Sequence, residues 1–233
     1  MPLFPIFNSQ FLGMHIPDGF LSLPVLVVTW IVAIGLIAIA LKQVESDYQD
    51  RAVPLMGVCG AFIFAAQMIN FPIPGGTSGH LLGGTLAGVL LGPWAGSLVM
   101  SVVFMVQGFV FQDGGITAMG ANIFNMGLIG TFSGYYLFRT VRNLVGHGLR
   151  GIIVGTAIAS WFSVVVSSAM TGLELAISGT VPLLVGITAM VGWYVMIGVG
   201  EALVTVATVT FIWRSRPDLL YTSSKRMNSE LSR

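Results

Sequence analysis

The chain has 233 residues, of which 55% are hydrophobic and 8% charged, with a net charge of +1 and a mean hydropathy of +0.89. A soluble domain of this size has no way to hide so much apolar surface, so a soluble interaction module is excluded and a multi-spanning membrane protein is indicated. The charge balance offers no handle for nucleic acid, and the single cysteine, Cys59, excludes an intrachain disulfide and a cysteine-rich metal site.

The first thirteen residues, MPLFPIFNSQFLG, hold two prolines, no Lys or Arg and no A-x-A cleavage site, and so make a poor signal peptide. MHIPDGF comes next and places His15 just before the first apolar segment. Seven such segments are predicted, over 21–41, 53–69, 81–91, 94–111, 119–138, 152–170 and 181–213. Most reach the roughly 17 to 25 residues that a helix needs to cross hydrocarbon. The third does not; closed by Gly92-Pro93, it is either a short helix or runs on across a kink, and short helices at membrane depth need protein or a water-filled cavity around them. His80, in PGGTSGHLLGG, stands directly before it. Gly84, Gly88, Gly92 and Gly96 recur every four residues, the pattern of close helix packing in lipid. Ala33, Gly35, Ala38 and Ala40 give the first helix a smooth stripe, read either as packing or as a docking face.

The ten Lys and Arg residues stand only between segments one and two, between five and six, and after segment seven. With seven crossings all ten fall on one side, which the positive-inside rule makes the cytoplasm. The expected fold is therefore an all-α integral membrane bundle of about seven helices, N-terminus outside and C-terminus cytoplasmic. His15 and His80 then share the outer face, whereas His147 sits in a loop among Arg139, Arg142 and Arg150 and reads as solvated. Expected boundaries are a mis-assigned extension over 1–13, a single transmembrane metal-capture domain over 14–213 and a polar tail over 214–233.

Two imidazoles make a weak metal site, and no Asp, Glu, Cys or third His lies at ligand spacing from either. The missing donors come from the chain start if Met14 is the first residue. A histidine in second position then offers the terminal amine, its own amide nitrogen and Nδ1, which close adjacent five- and six-membered chelate rings. One nitrogen of His80 completes a four-nitrogen set of the tetragonal kind favoured by Ni(II) and Cu(II). The thirteen preceding residues would turn that amine into a peptide nitrogen, so translation is expected to begin at Met14.

Other polar residues lie in apolar surroundings. Glu201, inside the last segment, must face the bundle interior, as a hydrogen-bond anchor, as a group supporting the metal ligands from behind, or as part of ion release. Asp18 either orients a histidine, as carboxylates do behind metal-bound imidazoles, or caps the first helix. Asn70, Thr77 and Ser78 are expected to support the GGTSGH loop by hydrogen bonding, with Gly75, Gly76 and Gly79 turning its backbone. Gln112, Asp113, Asn122 and Asn125 read as loop and packing groups.

MHIPDGFL, NFPIPGGTSGHLLGG, LLGPWAG, FQDGGITAMGANIFNMG, SGTVPLL and GEALVT together resemble, in order and from Met14 to about Trp213, the cobalt- and nickel-specific substrate-capture components of energy-coupling factor transporters, the CbiM/NikM type. The resemblance implies a seven-helix protein whose N-terminal segment dips into the bundle, with Co(II) or Ni(II) as the transported ligand on nitrogens of Met14, His15 and His80. It also implies a transmembrane coupling protein, a pair of cytoplasmic ATPases and a small two-helix membrane subunit, here separate, as partners. The extra thirteen residues depart from the family pattern. No G-x-x-x-x-G-K-[ST] motif occurs, so this chain has no such phosphate cradle; the expectation is a non-enzymatic transporter subunit without catalytic cofactor. Two rivals stay open: an intramembrane hydrolase, for which Ser78 and His80 lack an orienting acid, and a stand-alone metal permease or sensor.

Overall fold

A computed structural model describes residues 13–47, 52–73 and 77–221. Its elements are α1 (Leu23–Asp47), α2 (Ala52–Gln67), strands β1 (Asn70–Ile73) and β2 (Thr77–His80), α3 (Gly84–Phe111), α4 (Met119–Asn122), a π-helical stretch (Ile123–Ile129), α5 (Gly130–Val145), α6 (Leu149–Ile177), α7 (Leu183–Ser215) and a 3-10 turn (Pro217–Leu219). α4, the π stretch and α5 join end to end into one rod. By length and composition, four helices are long and apolar enough to cross a membrane: Leu23–Glu45, Gly84–Phe111, Leu149–Ile177 and Leu183–Ser215. The outward faces are apolar, as lipid contact requires: Val27, Val28, Ile31 and Ile34 of α1 are all exposed.

The structure differs from the sequence expectation in three places. Among the described residues the seven apolar segments appear as six helical elements, because segments three and four share α3, whose two limbs meet at a fold. The break at Gly92-Pro93 is nonetheless sharp: Gly92 adopts φ 77° and ψ 170°, a conformation that only glycine takes without strain. A Cβ on Gly96 would lie 2.9 Å from the backbone of Ala87, nine residues earlier, so the chain folds back on itself at this point. Secondly, the last four residues of GGTSGH are not a loop. TSGH forms β2, antiparallel to β1 with Asn70 opposite His80, so a short hairpin interrupts the helical fold. Thirdly, the small-residue stripe of α1 is split: Ala33 and Ala40, two turns apart, are buried, while Gly35 and Ala38 face outward.

The glycine spacing of α3 is a packing device. Cβ atoms on Gly84 and Gly88 would lie 3.0 Å and 3.1 Å from backbone atoms of Gly130 and Thr131, so only bare backbone lets α3 sit this close to α5. α3 is buried over most of its length and forms the centre of the bundle. Beyond Trp213 the packed chain continues: Leu220 is fully buried, and the Tyr221 ring closes over Gly92.

Candidate metal centre

The segment before α1 is drawn into the bundle by its backbone. Asn122, at the end of α4, accepts from the Ile16 amide at 2.8 Å and donates to the Ile16 carbonyl at 3.2 Å, matching both polar groups of one residue. The Gly115 amide donates to the same carbonyl at 2.8 Å. The Met14 nitrogen donates to the Tyr194 hydroxyl of α7 at 2.8 Å, and the Met14 side chain is fully buried in the main core. Pro17 and Asp18 lie against Gly115, where any side chain would collide with them. Gly114, at φ 92°, leaves the same kind of room for His15: a Cβ there would stand 3.2 Å from Nδ1.

His80 is delivered by β2 and held in place through residues 81–83. The Leu82 and Gly83 amides each donate to one oxygen of Glu201 at 2.8 Å. From the other side the Gln67 amide donates to the Leu82 carbonyl at 2.7 Å, and Gln107 donates to Gln67 at 2.8 Å. This short segment is thus pinned by α7, α2 and α3 together. The imidazoles of His15 and His80 stand 4.7 Å apart, centroid to centroid, at 61°, with the Phe104 ring 5.5 Å from His15.

Each histidine turns Nδ1 to a backbone carbonyl, His15 to Asp113 at 3.2 Å and His80 to Leu81 at 2.7 Å. Each leaves Nε2 buried and without a hydrogen-bond partner among the described residues. Burial, and for His15 also the charge of His80, holds both rings below the ordinary histidine pKa, so both are neutral at physiological pH and offer a lone pair. Two convergent neutral imidazoles with unpartnered nitrogens match the chemistry of a borderline transition metal. Among the described residues no three His, Cys, Asp or Glu cluster, so further donors must come from elsewhere, and the Met14 nitrogen lies in the adjacent peptide.

The remaining sequence candidates divide. Asp18 neither orients a histidine nor caps α1: its carboxylate accepts from the Thr117 amide at 2.7 Å, from the Thr117 hydroxyl and from the Ile116 amide at 3.2 Å. Burial opposes the charge of Asp18, but these bonds outweigh it and hold the pKa below the ordinary carboxylate value. Asn70, Thr77 and Ser78 enter the hairpin through their backbones; the support expected of their side chains, and the turn at Gly75 and Gly76, lie outside the described residues. Asn122, expected as a packing group, is a clamp. Tyr194, Gln67 and Gln107 carry no sequence signal, since each is a lone polar residue in an apolar helix that only the fold aims inward.

These features define a helical membrane protein with a buried, neutral imidazole pair beside an inserted N-terminal segment. A family model, the cobalt uptake substrate-specific transmembrane region, matches residues 15–219. The chain belongs to that family. It is 39% identical over 209 residues to a chain of Archaeoglobus fulgidus named as a putative fused nickel transport protein, covering 89% of this chain and 68% of that one. It is 31% identical over 218 residues to a cobalt transport protein of Geobacter sulfurreducens, covering 89% of this chain and 62% of the relative. Among solved structures, a truncated transition metal transporter superposes with a TM-score of 0.78 at 32% identity, over 86% of this chain and 98% of that one. The chain is thus a cobalt or nickel transport component of the membrane.

Proposed function

We propose that this chain is the substrate-capture subunit of an ATP-driven importer of Co(II) or Ni(II), multi-pass in a prokaryotic plasma membrane. The observation that carries the reading is the neutral His15–His80 pair, 4.7 Å apart, with two buried nitrogens left unpartnered beside the Met14 nitrogen. The ion is held by the neutral Met14 amine, the His15 amide nitrogen, whose proton passes to water as the metal binds, His15 Nδ1 and a nitrogen of His80, with Met14 as the first residue. Only Nδ1 closes a six-membered ring with the amide of its own residue, so loading exchanges the Asp113 carbonyl for the metal. The His15 ring turns about its side-chain bonds while the Glu201 anchor keeps the His80 backbone in place. Irving–Williams order favours Ni(II) over Co(II) on such donors, so geometry and availability decide which ion is carried.

Seven crossings with the N-terminus outside fit the charges. The C-terminal part of α1 and the segment after α7 meet the Gly92 turn, where Gln43, Trp94 and Tyr221 come together, and the basic residues Lys42, Arg214 and Arg216 lie at that end. The site lies toward the opposite end, where the incoming ion arrives. A transmembrane coupling protein, a cytoplasmic ATPase pair and a small two-helix membrane subunit supply the energy and the conformational drive; a relative named as a fusion supports a membrane partner. Reconstitution in vesicles with and without the coupling protein and ATPases tests this: uptake of Ni(II) only with partners and ATP is expected, and uptake by the chain alone makes it a stand-alone permease.

A further inference from the structure

α6 carries a line of polar groups on one buried face, Thr156, Ser160, Ser163, Ser167 and Thr171, ending in Glu174. Their spacing of three and four residues keeps them on one side of the helix. Opposite Glu174 stands Asn125, inside the π-helical stretch, a local widening of the helix that is common at functional sites. The Asn125 side-chain amide donates to Glu174 Oε2 at 2.7 Å, and the Ser167 hydroxyl donates to the Asn125 backbone carbonyl at 2.9 Å. Two atoms of this same pair remain buried without a partner among the described residues, Asn125 Oδ1 and Glu174 Oε1. Asn125 is 0% exposed and Glu174 5%. Both orphans are acceptors, and nothing among the described residues donates to them.

An ionised Glu174 would have no countercharge. The Arg216–Asp218 ion pair lies elsewhere, and His15, neutral beside Asp113, brings no charge to this place. The elements packed around it bring uncharged groups: Asn125 and Thr171 at the carboxyl, Gly186 and Ile187 of α7 against Gly172, and Ile16, Leu21 and Val181 around Leu175. A bare carboxylate with one unpaired oxygen in such surroundings is costly. One added proton removes the charge and satisfies both orphans together.

We propose that Glu174 and Asn125 form an intramembrane proton-binding site, in which a proton on Glu174 Oε1 closes a carboxylic acid–amide ring by donating to Asn125 Oδ1. One O–H bond forms on Glu174 Oε1 as one breaks in a hydronium ion, whose water is released at the end where α6 terminates. The ligand is a proton rather than the cargo, because the donors here are all oxygen while Co(II) and Ni(II) prefer the nitrogens at His15 and His80. Asn125 lies one turn after Asn122, the residue that clamps Ile16, so the ring and the metal segment share one rod. This linkage rests on the metal reading above: filling the site shifts Ile16 and with it the ring.

Infrared difference spectroscopy on the purified protein beginning at Met14, at neutral pH, tests the proposal. The wild type should show a protonated-carboxyl band that Glu174→Gln removes and Asn125→Ala shifts, and Ni(II) should shift the wild-type band. A spectrum that Glu174→Gln leaves unchanged overturns the proton site; should that variant fail to fold, a band unmoved in Asn125→Ala overturns the ring instead. A band that stays fixed while calorimetry shows Ni(II) bound overturns the linkage. Absence of Ni(II) binding with the band present sinks the metal reading and leaves the proton site standing.

Discussion

His15 and His80 are each useless alone, and the side chains around them explain why they meet. Replacing His80 by Ala removes the proposed metal donor and a ring contact but no backbone anchor, since Glu201 holds Leu82 and Gly83. We expect His80→Ala to retain its fold by circular dichroism and to lose Ni(II) affinity by more than the roughly 10- to 100-fold typical of outer-shell changes, read by calorimetry. Glu201→Gln presents an amide where a carboxylate accepted two N–H groups. It should lose about 1.5–3 kcal/mol from one charged hydrogen bond, seen as a lowered midpoint in thermal melts in detergent, and should weaken Ni(II) binding by displacing His80. Asp18 is pH-sensitive in a defined direction. Its pKa is lowered on folding, so its contribution to stability is complete above the ordinary carboxylate value and is lost as pH falls through the lowered one. Limited proteolysis should therefore open the 13–18 segment in acid, and Asp18→Asn should open it already at neutral pH. At this scale His15 and His80 were legible because they stand at the mouths of apolar segments, and Glu201 because an ionisable group inside such a segment must face the bundle interior. Tyr194, Gln67 and the second role of Asn122 were not, because nothing in a single sequence aims a helical side chain at a segment far away along the chain.

Elements were legible where lipid demands them and illegible where the chain leaves helical geometry. Apolar runs marked the membrane-facing helices, and the Gly84–Gly96 spacing correctly marked close packing. Hydropathy did not reveal the β1–β2 hairpin, whose eight paired residues are too few, and too interrupted by Pro72 and Gly79, to differ from a loop by pattern. Nor did it reveal that α3 turns back at Gly92, since periodicity reports a helix face but not a positive φ. That turn gives a sharp prediction. Gly92→Ala forces a Cβ to within 2.8 Å of the Tyr221 ring in a backbone conformation that disfavours L side chains, which should cost about 1–3 kcal/mol in strain and overpacking. The measurement is the detergent melt, and an unchanged midpoint would mean that the turn is not required. Gly115→Ala should act differently: it drives Pro17 and Asp18 off the bundle, loosening the metal segment while leaving the helices intact.

The whole molecule is a frame that holds one N-terminal segment inside a helical bundle and brings its His15 imidazole beside that of His80. Its orientation is testable by labelling single cysteines in a Cys59→Ala background: a cysteine at Asp113 should react with an impermeant reagent from outside, and one at Lys42 only after permeabilisation. Equal reactivity of both would contradict seven crossings. Family membership and the paired histidines were both readable from ordered motifs, yet donor geometry depends on an atom that sequence alone leaves ambiguous, the nitrogen of Met14. The most direct measurement is Ni(II) titration of the protein beginning at Met14 beside the full chain and its His80→Ala variant, read by calorimetry and visible absorption. The account predicts tight binding with a square-planar Ni(II) spectrum in the Met14 form, weaker binding in the full chain and loss of the spectrum without His80. Equal affinity and identical spectra in all three would contradict it.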